Sequence, residues 1–273
     1  MRLADASVTA LPHIETLRKN AVSAHLMHGD GLGAAPHVQW GRARAALDQE
    51  WLALEASTLR ATGDARYRAL YDYQRFIKVS TLTPPSGFAS IEQFNEALAQ
   101  RLRHLHAATS AHPLDQSLRG GTQTPVGILD SKDPVIQGFI AALDAPIRAM
   151  MQAIGNDPNH PFTARNTGRY RFSGCWSVRL VQGGSHVNHM HPQGWISSAY
   201  YVTVPSDIQD QNTKAGWLSF GEPRFKAPNQ GPEAFVQPQP GTLALFPSYM
   251  WHGVRPFNSG AERMTIAFDV VPV

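Results

Sequence analysis

A single cysteine, Cys175, occurs in the 273 residues. A disulfide framework needs at least two, and a Cys-based zinc knuckle or iron–sulfur cluster needs several, so any metal chemistry must use histidine and carboxylate. Charge is scarce as well: Asp, Glu, Lys and Arg make up 16% of the chain, against 42% hydrophobic residues. That balance excludes disorder driven by charge and low hydrophobicity, and it supports a sizeable core. The net charge of +3 is scattered, with no run of like charges. Without a comb of basic and aromatic residues, nucleic acid is not an expected partner. No stretch approaches the roughly 20 apolar residues needed to cross a bilayer, and the first residues lack the apolar core of a signal peptide. The expectation is therefore a protein with no membrane partner, in the cytoplasm, where a lone thiol stays reduced.

Apolar residues recur near a period of 3.6 through the first half. Ala46, Leu47, Trp51, Leu54 and Leu59 predict a helix over 45–59, closed by Gly63. Ser90 and Gln93 form a capping-box pattern ahead of a stripe of Ile91, Phe94, Leu98, Leu102 and Leu105. A third helix is expected over 134–154, kinked or broken by Pro146. Between them 75–79 reads as a strand, closed by Thr83, Pro84 and Pro85. From about residue 168 the period becomes two, with strands expected at 175–181, 195–204, 217–220, 242–246 and 264–271 between Gly and Pro turns. This is an α+β pattern, an antiparallel sandwich or jelly roll buttressed by preceding helices. The expected division is a helical segment at 1–70, able to represent worn helical repeats, and a second domain at 71–273 with its jelly-roll core at 168–273.

Twelve histidines are present, three of them within six residues: His186, His189 and His191. In extended backbone i and i+2 share a face, so His189 and His191 can reach one ion while His186 points away. His252 is the third candidate, where a strand runs out into a turn. His104 and His106 have the same spacing but end a helical pattern, where i and i+2 diverge, and they are set aside. In the last strand Met264, Ile266, Phe268 and Val270 form a core face, leaving Arg263 and Thr265 side by side on the other. A guanidinium fork beside a hydroxyl suits a carboxylate held between sheets. Arg179, opposite Trp176, Val178 and Leu180, either joins that cavity or is exposed. Trp195, Tyr200, Tyr201, Tyr249 and Trp251 either pack or border the cavity, with Tyr201 or Trp251 expected to touch it; Asn188 and Gln182 are further candidates for polar contact.

The order His189-x-His191-Pro192-Gln193-Gly194-Trp195, then Gly216-Trp217, then Pro240-Gly241 leading to His252, then Arg263-x-Thr265 resembles the C-terminal catalytic module of iron(II)/2-oxoglutarate oxygenases. The resemblance covers roughly 175–271, and the segment from His112 to Thr124 resembles what precedes the module in bacterial members. It implies a double-stranded β-helix with Fe(II) on His189 and His252, and 2-oxoglutarate as co-substrate with its distal carboxylate on Arg263 and Thr265. Tyr201 and Arg179 are the further candidates for cofactor contact. O2 and a small-molecule or peptide substrate complete the reaction, which by default is a hydroxylation yielding succinate and carbon dioxide. Where the common facial triad has a carboxylate, this chain has His191; either His191 completes a three-His site or water takes the position. Rival readings are a three-His cupin-type iron dioxygenase without 2-oxoglutarate, a zinc hydrolase or hydratase, and a non-catalytic β-sandwich. Helices outside the β-core lead to the expectation of a homodimer, which light scattering would test.

Overall fold

A computed structural model describes residues 2–107 and 117–273; residues 112–116 of the His112 segment lie outside it. Six helices come first: α1 (Arg2–Ala10), α2 (Glu15–Met27), α3 (Gly31–Arg44), α4 (Gln49–Thr62), α5 (Arg66–Leu70) and α6 (Tyr73–Phe76). Asp48 caps α4 by accepting from the Trp51 amide, and Gly63, at φ 70°, ends it in the left-handed conformation. Asp72 likewise caps α6, which claims the first half of the expected strand and displaces it to β1 (Lys78–Thr81).

Next come α7 (Ile91–Ala107), β2 (Leu118–Gln123), α8 (Pro134–Ala142) and α9 (Asp144–Ile154). Ser90 accepts from the Gln93 amide, while the Gln93 side chain reaches back to the amide of Ala89. The expected long helix is two. Pro146 cannot tolerate the carbonyl of residue 142 in a continuous helix, and α8 ends there. No described helix is long and apolar enough to cross a membrane.

The remaining strands are β3 (Tyr170–His189), β4 (Ile196–Thr203), β5 (Leu218–Phe220), β6 (Ala234–Val236), β7 (Thr242–Pro247), β8 (His252–Val254) and β9 (Arg263–Pro272). They pair antiparallel in the order β1-β7-β4-β9-β3-β8-β5-β6, with β2 added on β3. β3 serves two partners: residues 170–180 pair with β9, and its end pairs with β8. Gly183, at φ 75°, lies between the two stretches. The sheet closes on itself, because Phe220 of β5 and Phe246 of β7, far apart in the strand order, meet at 4.9 Å. This is the expected jelly roll preceded by helices, a double-stranded β-helix. β6 and β8 are three residues each, too short to show a period, and neither was expected.

One hydrophobic core runs from the N-terminal helices into the barrel. Met264, Ile266, Phe268 and Val270 are fully buried, and the Tyr200 hydroxyl donates to Asn95 of α7 at 2.6 Å. The turn before β8 is fastened to the helical segment: the Tyr71 hydroxyl accepts from the Trp251 amide at 2.9 Å, and Trp251 Nε1 donates to Ser57 at 3.1 Å.

Candidate metal centre

His189 and His252 are direct cross-strand partners, the last residue of β3 opposite the first of β8. Their ring centroids lie 4.3 Å apart. His191 has left the strand, but its amide donates to Ser248 at 3.0 Å, which returns its ring to 5.2 Å from His189 and 5.0 Å from His252. One nitrogen from each of the three rings lies within 4.8 Å of the others. In all three the Nδ1 already has an acceptor: Val187 O for His189, Met250 O for His252, and the Asp269 carboxylate for His191. With Nδ1–H donating, each Nε2 keeps its lone pair, the arrangement a metal requires.

Burial holds His252 neutral, its pKa pushed well below the ordinary histidine value first by desolvation and then by its neighbours His189 and His191. Desolvation lowers His189 in the same way, with His191 adding to it. Neutral imidazoles are the ligand form.

The rings face a cavity of about 460 Å³ walled by residues from both halves of the barrel, including Val178, Leu218, Phe246 and Val254. Arg263 and Thr265 line it as well, and Arg263 is 2% exposed. The Arg263 Nε and the Tyr201 hydroxyl have no hydrogen-bond partner among the described residues. The guanidinium lies 5.2 Å from the Tyr201 ring. Burial lowers the pKa of Arg263, and burial raises that of Tyr201 to about 12, against the opposing pull of the guanidinium. A buried cation with an idle donor at the wall of a cavity is a place built for an anion.

Other expected residues lie elsewhere. Arg179 is on the outer face, bound to Glu262, because β3 alternates and Trp176 and Val178 take the cavity side. Tyr201 sits beside Arg263 without forming cavity wall, and Trp251 is core; the aromatic walls are Trp176 and Phe246. Gln182 is held by Asn258, and Asn188 points to the carbonyl of Pro223. His186 does not face away. A bulge between His186 and His189 shifts the register by one, so the His186 ring stacks on His189 at 5.8 Å and reaches the cavity. His106 is buried between Thr122 and Ser177, a structural hydrogen-bond bridge.

Asp269 was missed. The alternation that places Arg263 and Thr265 in the cavity continues through Ala267 to Asp269, and all four line it. The same strand period that marks Arg263 and Thr265 marks Asp269 four residues further on.

A second His/Asp group, Asp5, His25 and His37, is a hydrogen-bond clamp. Both His25 nitrogens are taken by carboxylates, at 2.9 Å by Asp5 and 2.8 Å by Asp30, and Arg18 stands against Nδ1 of His37.

Residues 174–269 match the model of the family described as "Putative 2OG-Fe(II) oxygenase". No curated protein matches. Solved structures similar to the chain include a Pseudomonas putida prolyl-4-hydroxylase, 17% identical, covering 74% of this chain and 96% of its own, with a TM-score of 0.48. A viral collagen prolyl hydroxylase from Paramecium Bursaria Chlorella virus-1, in a 2OG complex, is 14% identical over 72% of this chain and 97% of its own, TM-score 0.46. HygX from Streptomyces hygroscopicus, with nickel and 2-oxoglutarate bound, is 15% identical over 75% and 86%, TM-score 0.46.

Proposed function

We propose that this protein is an Fe(II)- and 2-oxoglutarate-dependent oxygenase that hydroxylates a small molecule or peptide side chain, with His189, His191 and His252 as the iron ligands. The observation that carries this reading is the pairing, at one cavity, of three imidazoles whose Nδ1 atoms are all committed with a buried guanidinium whose Nε has no partner among the described residues. The donor set fits the metal: neutral imidazoles suit iron, and three protein ligands leave open positions. The guanidinium fits the co-substrate, because its planar fork matches a carboxylate and no carboxylate of the chain pairs with it among the described residues.

Iron bound there would supply O2 activation coupled to decarboxylation of 2-oxoglutarate, with succinate, carbon dioxide and a hydroxylated substrate as products. The chain's residues do the rest. Arg263, with Thr265 beside it, anchors the distal carboxylate and so fixes which end of the co-substrate faces the histidines. Tyr201 closes off the far side of the guanidinium, keeping water from competing for it. Trp176 and Phe246 make apolar walls around the reacting region. A zinc hydrolase would need a free carboxylate as general base. Among the described residues the one carboxylate lining this cavity, Asp269, is occupied by His191 and Ser197. A three-His dioxygenase without 2-oxoglutarate leaves buried Arg263 without a purpose.

The test is anaerobic titration of Fe(II) and 2-oxoglutarate into the metal-free protein, following the weak visible charge-transfer band of a chelated 2-oxo acid. The band should form in the wild type, be lost in His252→Ala, and weaken sharply in Arg263→Ala. Iron binding with no such band would move the function to the dioxygenase that does without 2-oxoglutarate.

A further inference from the structure

Resting on that reading of the three histidines, we propose that Asp269 is a positioning residue: it holds His191 as the third metal ligand, supplying from one hydrogen bond behind the metal the carboxylate that a His-x-Asp motif would place directly on it.

The three rings are not held alike. His189 and His252 are strand residues paired with each other, and each Nδ1 donates to a carbonyl two residues earlier in its own chain segment. His191 lies past the end of β3, where no ladder fixes its ring. Its Nδ1 lies 2.7 Å from both oxygens of Asp269, which reaches it from β9. A carboxylate only accepts, so this contact requires the proton on Nδ1 and leaves Nε2 as the ligand atom. A neutral carbonyl would fix the same tautomer, but an anion also strengthens the imidazole as a donor, an effect that suits a site whose three candidate ligands among the described residues are all imidazoles.

Asp269 is itself secured. Its Oδ1 accepts from the Ser197 hydroxyl at 2.7 Å, and Ser197 shares a 2.8 Å bond with Ser248, whose carbonyl receives the His191 amide. One buried network therefore grips both the backbone and the ring of His191. The loop between has no room to spare: a Cβ on Gly194 would come within 2.2 Å of the Ser248 hydroxyl and 3.4 Å of the Asp269 carboxyl carbon. Trp176 covers the other side of the imidazole, with ring centroids 5.7 Å apart. Asp269 and Arg263 stand on the same face of β9, so one strand would carry both the support of the third ligand and the anchor of the co-substrate.

The experiment is a Co(II) titration of the full chain, read by the d–d absorption of the bound ion and by competition with a chelator. Four proteins are compared: wild type, Asp269→Asn, His191→Ala and the double variant. Asp269→Asn should weaken Co(II) by about 10- to 100-fold, the usual cost of losing such a partner. On a His191→Ala background the same change should cost nothing further, because it acts only through that ring. Unchanged affinity in Asp269→Asn, or the full loss repeated on His191→Ala, would overturn the proposal. Ser197→Ala, which keeps the carboxylate but frees it, should give a smaller loss that also disappears on the His191→Ala background, and it decides the matter if Asp269→Asn does not fold. A wild type that takes no Co(II), or a His252→Ala variant that binds as wild type does, would remove the three-histidine reading and the role of Asp269 with it.

Discussion

Replacing Arg263 by Met removes the guanidinium and keeps a long, flexible side chain that can fill the same space. For most buried arginines such a change is severe, because it strands a buried partner at a cost of about 3–5 kcal/mol. Here no carboxylate pairs with the guanidinium among the described residues, and Nε is without a partner. An unsatisfied buried donor costs about 1–3 kcal/mol, and the contact with the Tyr201 ring offsets about 0.5–2 kcal/mol of it. The exchange in the ligand-free protein should thus lie between about 1 kcal/mol lost and about 2.5 kcal/mol gained. At roughly 2–4 °C per kcal/mol, Tm should fall by no more than about 4 °C and can rise. With 2-oxoglutarate present the sign reverses. Truncating one side of a buried, hydrogen-bonded charge pair costs about 2–5 kcal/mol, which is roughly 30-fold to several-thousand-fold in affinity. Thermal unfolding of both proteins, with and without Mn(II) and 2-oxoglutarate, measures both halves. The wild type should gain Tm from the co-substrate and Arg263→Met should not. A ligand-free Tm that drops by about 10 °C or more would mean that the guanidinium already serves a structural partner, and the anion-site argument would fail.

Three further outcomes are expected. Trp251→Ala opens a cavity beneath the turn that delivers His252 and breaks the bond to Ser57; calorimetry should show a loss of about 3–5 kcal/mol, accompanied by weaker metal binding. Gly41→Ala drives a methyl to 2.1 Å from the Trp51 ring, so its Tm should fall by an amount corresponding to about 1–3 kcal/mol, although alanine is the better helix former. His25 is desolvated, which opposes its charge, but its bonds to Asp5 and Asp30 prevail and raise its pKa above 6.5. Its stabilisation is complete below the unfolded pKa and fades as pH rises through the folded one. The Tm advantage of wild type over His25→Gln should therefore be larger near about pH 6 than above about pH 8, and a difference independent of pH would contradict the charged clamp.

What could be read in advance follows from the range over which each signal acts. Period two in β9 is local, and it placed Arg263 and Thr265 in the cavity. The i, i+2 rule likewise anticipates His189 and His191 at one site, although the strand ends at His189 and the amide bond to Ser248 is what brings the ring of His191 there. His186 escaped that rule because a bulge is a one-residue slip that no periodicity announces. α6 displaced the start of β1 because a single cap at Asp72 outweighed the β-formers beside it. Arg179 could not be assigned because alternation tells which residues share its face but not whether that face is the cavity or the exterior, and its partner there, Glu262, is distant in the chain. The cross-strand register of His189 with His252, and the reach of Asp269 to His191, are properties of a closed sheet and exist only once it has closed.

The fastening of Trp251 to the helical segment bears on how this protein can be divided. All three imidazoles, Arg263 and Asp269 fall within residues 174–269, the span that carries the family signature. The turn that presents His252, however, is bolted from outside that span. Tyr71 holds the amide of Trp251 and donates to the carbonyl of Tyr249, whose own hydroxyl reaches Leu70, while Ala53 and Ser57 hold the indole. A fragment cut at the edge of the signature would keep the residues of the proposed centre and lose the carpentry that aims one of them. Grafting or minimising such a protein by the extent of its recognisable sequence would discard a joint that holds this turn, and the indivisible unit includes helices whose sequences bear no mark of the histidine cluster they support.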